Sequence, residues 1–255
     1  MPSSLQPPAS LATAAGVAAG VRFERALQLL AQSGHAMPAG PAGGAEWMAG
    51  LIDALVDLSS RDALTGLANR RAFELAVARE VDRVARSGES ALLLTLDIDH
   101  FKKVNDTWGH AAGDQVIKAV AQALLDSVRP MDLVARVGGE EFAIILPNCA
   151  VTFGQTVAER VRQRVQGMPI ALAAVSGLAQ APPLHVTISV GGAFAPQWVR
   201  STPSLWQVRA DQQLYQAKAR GRNLVCLEPT AVSLVSSEEK RLLFETFQIQ
   251  DHDHE

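Results

Sequence analysis

Four acidic residues fall in two short clusters. Asp97 and Asp99 end the apolar run "LLLTLDID", and Glu140 and Glu141 sit in "RVGGEEFAIILP", residues 136–147. Burying a carboxylate is costly unless something positive meets it, so the clusters raise the question of which cation they face. Neither contains a cysteine. A few oxygen-only donors suit Mg2+, which keeps several waters and is completed by substrate phosphates. Carboxylates at a strand end beside a carboxylate hairpin would form a metal clamp for nucleotidyl transfer. Basic residues lie near both ends of the constellation. Lys102 and Lys103 follow the first cluster, where a helix N-terminus favours anions, and Lys218 and Arg222 lie in "AKARGRN". Together they would hold a triphosphate over the metal. The ordinary alternative makes Asp97 a cap for the helix "HFKKVND" and leaves the glutamates solvated, since short acidic motifs arise often by chance.

The elements that must position these groups are legible from period and punctuation. "DLVARV" and "FAIILP" read as strands, and the glycine pair between them is a hairpin signal because glycine tolerates positive φ in tight turns. Neighbours in a strand point to opposite faces, so one glutamate is expected to face solvent and the other whatever lies over the sheet. "ALLLTLDID" has the continuous apolar character of a central strand. Helices are expected over "NRRAFELAVAREVDRVARSG", "AGDQVIKAVAQALLDSV", "TFGQTVAERVRQRVQG" and "PSLWQVRADQQLYQAKARG". "HVTISVGGAFA" and "NLVCLE" complete the strands. The layout is α+β, with helices covering a sheet that contains a central hairpin.

Ahead of this, "RFERALQLLAQSG" and "AEWMAGLIDALVDLSS" read as helices joined by the Pro/Gly-rich "HAMPAGPAGG". Met48, Leu51, Leu55 and Leu58 are spaced three, four and three apart, as in a short coiled-coil seam over residues 45–58. A helix packed on its own domain explains the spacing equally well. Residues 1–20 are rich in Ser, Pro, Ala and Gly, 168–184 read as a loop, and 229–255 form a tail with a short helix around "EEKRLLFETF". The organisation is therefore an extension over 1–57, a domain over 58–228 and a tail over 229–255.

Composition narrows the partners. The chain has 255 residues, 48% of them hydrophobic, and a net charge of −3, which gives no global basic field for coating nucleic acid. Cys149 and Cys226 belong to no Cys-x-x-Cys or Cys/His cluster, so both are expected as buried small side chains. No apolar run approaches the roughly 20 residues of a membrane helix, and no basic leader precedes "LATAAGVAAGV". A soluble, cytoplasmic chain is expected.

The motifs resemble a known family. "RVGGEEF" is similar to the namesake motif of GGDEF-domain diguanylate cyclases, with glutamate at the third position. "RDALTGLANRRAF" (61–73), "LDIDHFKKVNDTWGHAAGD" (96–114), "RPMDLVARVGGEEF" (129–142), "VTISVGG" (186–192) and "ADQQLYQAKARGRN" (210–223) resemble further family blocks in family order. The resemblance implies a palm-like, ferredoxin-like fold with a mostly antiparallel sheet. It implies condensation of two GTP into cyclic di-GMP with release of two pyrophosphates. Mg2+, or Mn2+ in its place, would be held by Asp97, the Ile98 carbonyl and Glu140. Glu140 would also assist deprotonation of the 3′-hydroxyl, with Glu141 beside it. Lys102, Lys218 and Arg222 would neutralise phosphate charge, and Gly138 and Gly139 would let the backbone approach the nucleotide. Asn105 and Asp114 would read guanine. Each domain would hold one GTP, so a homodimer is part of the mechanism. Arg129 and Asp132, in "RPMD", resemble an inhibitory product site that Arg160 of a partner domain completes; the plain alternative is that they cap the turn between helix and strand.

Two other function classes remain open at this point. One is a catalytically silent receptor for cyclic di-GMP or GTP that signals through a protein partner. The other is a structural domain with no ligand. Such domains usually have eroded motifs, whereas Asp97, Asn105, Asp114, Glu140 and Lys218 are all present here.

Overall fold

The computed structural model describes residues 23–34, 36–172, 183–195 and 202–229. The expected C-terminal helix, the first twenty residues and most of the 168–184 loop lie outside the described residues. Helix α1 covers residues 23–32 and α2 spans Ala45–Ser60. The domain then runs α3 (Arg70–Ser87), β1 (Ala91–Ile98), α4 (Phe101–Trp108), α5 (His110–Leu125), β2 (Leu133–Arg136), β3 (Glu141–Leu146), α6 (Val151–Gln166), β4 (Ile188–Ala195), α7 (Pro203–Ala219) and β5 (Val225–Leu227).

The five strands form one sheet in the order β2-β3-β1-β4-β5. All pairings are antiparallel except β4 with β5. The sheet is α+β and mostly antiparallel, as expected. The hairpin is not central, however. β2 is an edge strand and β1 holds the middle, flanked by β3 and β4; all eight residues of β1, like those of β4, are buried. Leu92, Leu94, Leu96 and Ile98 face a core closed by α5 and α6. Ala91 and Leu93 face a second core built on Phe73 and Val77 of α3 and Trp206 and Ala210 of α7. By the period of two, Thr95 and Asp97 belong to that second face.

The apolar seam of α2 meets α1 of its own chain. Leu30, Trp47 and Leu51 are buried together, with Met48, Leu55 and Leu58 packed against them. The Phe23 and Trp47 rings meet edge to face with centroids 5.3 Å apart. Cys149 and Cys226 are free and buried. Among the described residues no helix is long and apolar enough to cross a membrane.

Candidate active site

Asp97 lies one residue before the end of β1 and is 6% exposed. Its cross-strand partner on β3 is Glu141, and the Ile98 N–H donates to the Glu140 carbonyl at 3.2 Å. Three carboxylates therefore gather at one strand end. Glu140 stands in the turn just before β3 and is half-buried, whereas Glu141 opens the strand and is exposed. Like charges directly opposite in a sheet are destabilising, and the electrostatics register it. Burial pushes the Asp97 carboxyl above the ordinary range, Lys218 pulls it back, and Glu141 and Asp99 add to the rise. Burial also raises Glu140, with the Asp97 charge next in effect.

The alternative role of Asp97 as a helix cap does not hold, since α4 is preceded by His100 as its cap residue and no side chain caps it. Asp99 has a different task from Asp97. It accepts hydrogen bonds from Thr187 Oγ1 (2.7 Å), Ser189 Oγ (2.7 Å) and the Asn223 N–H (2.9 Å). With its charge satisfied by three donors it ties β1 to β4 and to the turn after α7. That turn holds Arg222 and Asn223 at positive φ (65° and 47°), a conformation that non-glycine residues adopt only when surroundings fix it. Arg222 is exposed there. From the last turn of α7, Lys218 Nζ reaches Asp97 Oδ2 at 2.7 Å. Lys102 and Lys103 stand exposed in the first turn of α4.

The glycine pair works differently from a positive-φ turn. Neither Gly138 nor Gly139 has positive φ. At Gly138 a Cβ would stand 2.3 Å from Glu141 Oε2, so the small residue is needed for close approach of the side chain. Gly139 has open space instead, and its carbonyl is held by Arg136, whose Nε and Nη2 donate to it at 3.2 and 2.8 Å. Arg136 Nη1 also donates to both oxygens of Asp62 (3.1 and 3.2 Å). Asp62 itself accepts from the Thr65 N–H and hydroxyl in the turn between α2 and α3. The hairpin tip is thereby braced to that turn. Sequence reasoning missed this pair of residues; the placement of an arginine directly before "VGGEE" was the available signal.

Asn105 on α4 and Asp114 on α5 lie either side of Gly109 (φ 80), which separates the two helices. Asn105 packs so closely on α5 that a Cβ at Gly113 would lie 2.0 Å from its Oδ1 and 3.1 Å from Phe101 Cζ. Gly113 was not singled out from sequence. Asp114 is exposed beside it.

Arg129 and Asp132 lie away from this group, between α5 and β2. Asp132 accepts from Arg129 N (2.8 Å), Nε (3.2 Å) and Nη2 (2.8 Å), so they do cap the turn. Arg129 also donates to the Pro147 carbonyl and lies 5.1 Å from the Phe153 ring centroid. Arg160 donates to the Ser127 carbonyl of its own chain at 3.0 and 2.6 Å.

The donor set is compatible with a hard divalent cation. Two carboxylates with raised pKa values, crowded against a third and offset chiefly by Lys218, present oxygen ligands and excess negative charge. Among the described residues no three His, Cys, Asp or Glu side chains form a ready-made metal cage. An ion held there by one or two carboxylates would be completed by phosphates and water.

The profile of the family described as "Diguanylate cyclase, GGDEF domain" matches residues 59–224. The response regulator PleD of Caulobacter vibrioides is 41% identical over 174 residues, which cover 68% of this chain and 37% of PleD. The probable diguanylate cyclase DgcT of Escherichia coli is 39% identical over 171 residues, 66% of this chain and 36% of DgcT. The chain thus spans well under half the length of these curated relatives. A crystal structure of the coiled coil and GGDEF domain of DgcB from Caulobacter crescentus, in complex with c-di-GMP, superposes with a TM-score of 0.66 at 34% identity. That likeness covers 72% of this chain and 93% of the DgcB chain.

Proposed function

This chain belongs to the GGDEF-domain diguanylate cyclase family, and we propose that it condenses two molecules of GTP into cyclic di-GMP with release of two pyrophosphates. The observation that carries the proposal is the convergence of Asp97, Glu140 and Glu141 at one strand end, with carboxyl pKa values pushed up by burial and mutual repulsion at Asp97 and Glu140. Such a site gains from binding a cation. Mg2+ or Mn2+ held by Asp97, Glu140 and the Ile98 carbonyl would neutralise phosphate charge there.

The chain's own residues supply the rest. Asn105 and Asp114 would read the guanine edge, a carboxylate accepting from its N–H groups. Glu140 would take the proton of the attacking 3′-hydroxyl, with Glu141 holding the local field. The hydroxyl oxygen then bonds to the α-phosphorus of the other GTP, and the α–β bridging oxygen leaves with pyrophosphate. Lys102, Lys218 and Arg222 would balance the charge on that leaving group. The same half-reaction in the opposite sense closes the ring. Each chain carries one such set, so two chains must face each other as a homodimer. The GTP supply would be cytoplasmic.

Product feedback is proposed for Arg129 and Asp132, with Arg160 contributed by a second domain. The guanidinium would fork onto phosphate oxygens and the carboxylate would accept from guanine. A ligand there competes with the existing Arg129–Asp132 pair. Progress curves with added cyclic di-GMP test this: wild type should slow and Arg129→Ala should not, and equal insensitivity of both removes the inhibitory role.

Pyrophosphate release from GTP and from ATP, in Mg2+ buffer, tests the main reading. GTP should turn over, ATP should be poor, and Asp114→Ala should weaken GTP use. Absence of release from GTP would leave a receptor, and equal use of ATP would remove the base-reading role of Asp114.

A further inference from the structure

The turn between α7 and β5 carries Arg222 on an unusual backbone. Gly221, Arg222 and Asn223 stand in succession at φ 121°, 65° and 47°. Side chains disfavour that region, so two non-glycine residues in a row must be held there by their surroundings. The first half of the turn is tied to α7. The Arg222 N–H donates to the Ala217 carbonyl at 3.1 Å, and the Gly221 N–H to the Lys218 carbonyl at 3.4 Å. Asn223 is held from elsewhere. Its N–H donates to Asp99 at 2.9 Å, and its side-chain oxygen accepts from Arg162 Nη1 at 2.7 Å.

Arg162 belongs to α6, which packs in the core on the opposite face of the sheet from α7. Its side chain is 13% exposed and is itself fixed in place. Nε and Nη2 donate to the Glu159 carboxylate one turn earlier, and Nη1 also donates to Gln166 Oε1 at 2.6 Å. The Glu159 charge keeps the guanidinium firmly protonated. An ion pair on a helix surface would be the plain explanation of Glu159 and Arg162. That accounts for Nε and Nη2, but not for the bond that leaves the helix and ends on a turn residue at positive φ. A guanidinium held flat on its own helix is a rigid donor, suited to fixing the Asn223 side chain.

We propose that Arg162 is a positioning residue for the nucleotide. Acting through Asn223, it holds the backbone that aims the Arg222 side chain at the phosphates, and it touches no substrate itself. This inference rests on the reading of Arg222 as a phosphate-binding group.

Affinity for the α,β-methylene analogue of GTP tests it, by calorimetry on the full chain with Mg2+, since the α–β bridge of that analogue does not cleave. Arg162→Met should bind about tenfold more weakly than wild type, the scale of a misplaced contact. Asn223→Gly suits the same φ but offers no acceptor, and should match it. Asn223→Asp keeps the acceptor and should bind as wild type does. In an Arg222→Ala background, Arg162→Met should add nothing, because a residue that acts through Arg222 is then silent. A merely structural loss would weaken binding by the same factor in both backgrounds, and that result overturns the proposal. Wild-type affinity in folded Arg162→Met or Asn223→Gly overturns it too, as does equal weakening by Asn223→Gly and Asn223→Asp, or no binding by wild type. If Arg162→Met does not fold, Asn223→Gly takes its place in both backgrounds. Cyclic di-GMP formation from GTP is read in parallel. Its absence from wild type would remove the cyclase reading, while the analogue affinities still decide the role of Arg162.

Discussion

At the turn between α5 and β2, Asp132 receives three hydrogen bonds from Arg129, and its side chain is 1% exposed. At the turn between β2 and β3, the Glu140 side chain receives none among the described residues and stands beside Asp97 and Glu141. Both turns carry charged residues next to a buried strand. One settles its charges internally, and the Asp132 carboxylate holds Arg129 firmly protonated. The other gathers like charges with Lys218 as the chief offset. The difference teaches where a ligand is needed. A turn satisfied by its own residues is stable alone, while a turn with crowded carboxylates is stabilised by whatever cation arrives.

Removing a carboxylate at the hairpin should have the largest effect on chemistry. Glu140→Gln should reduce cyclic di-GMP formation by a hundredfold or more, on the order of losing one charge-stabilising group, without lowering the melting temperature in metal-free buffer. A turnover assay paired with a thermal melt reads both. Wild-type turnover would break the comparison at its active end.

The opposite turn should respond in the opposite way. Asp132→Ala should destabilise the fold by about 2 kcal/mol, the scale of hydrogen bonds to a charged group, while leaving the initial rate intact. Urea unfolding measures it, and an unchanged midpoint would mean that the Arg129 pair contributes nothing to the turn.

Gly113→Ala sharpens the comparison on the side proposed to read the base. The added methyl would stand 2.0 Å from Asn105 Oδ1 and must displace it. KM for GTP should rise about tenfold, consistent with misplacement of a positioning group, with a smaller change in kcat. Steady-state kinetics would show it, and unchanged KM would separate Asn105 from the nucleotide.

The smallest effect concerns pH. Asp97 and Glu140 have folded pKa values above their ordinary ones. The folded state then binds protons more readily than the unfolded chain. The stability these groups contribute is present at low pH and is lost as pH rises through the raised values. Mg2+ should accordingly raise the melting temperature more at about pH 7.5 than at about pH 5.5, because protons compete for the same oxygens. Glu140→Gln should flatten that difference. A Mg2+ shift independent of pH would contradict the assignment of these carboxylates to the ion.

Much of this arrangement was legible in the sequence because period and punctuation report burial. The all-buried β1, the helices and the positions of Asp97, Glu140 and Lys218 follow from local pattern. Four features did not. The edge position of the hairpin depends on long-range pairing order, which no local pattern encodes. The split between Asp97 and Asp99 depends on donors some ninety residues away, Thr187 and Ser189. The seam of α2 fits a coiled coil and a packed helix equally, and only its contact with Leu30 and Phe23 in α1 shows how it is used in this chain. The close approaches at Gly113 and Gly138 are likewise consequences of packing rather than of turn chemistry.

The most direct test of the cyclase assignment is mass-spectrometric identification of the product formed when the purified chain is incubated with GTP and Mg2+. The account predicts cyclic di-GMP and pyrophosphate in a one-to-two ratio from wild type, and neither above background from Glu140→Gln. GTP recovered intact from wild type, or equal product from both proteins, would contradict it.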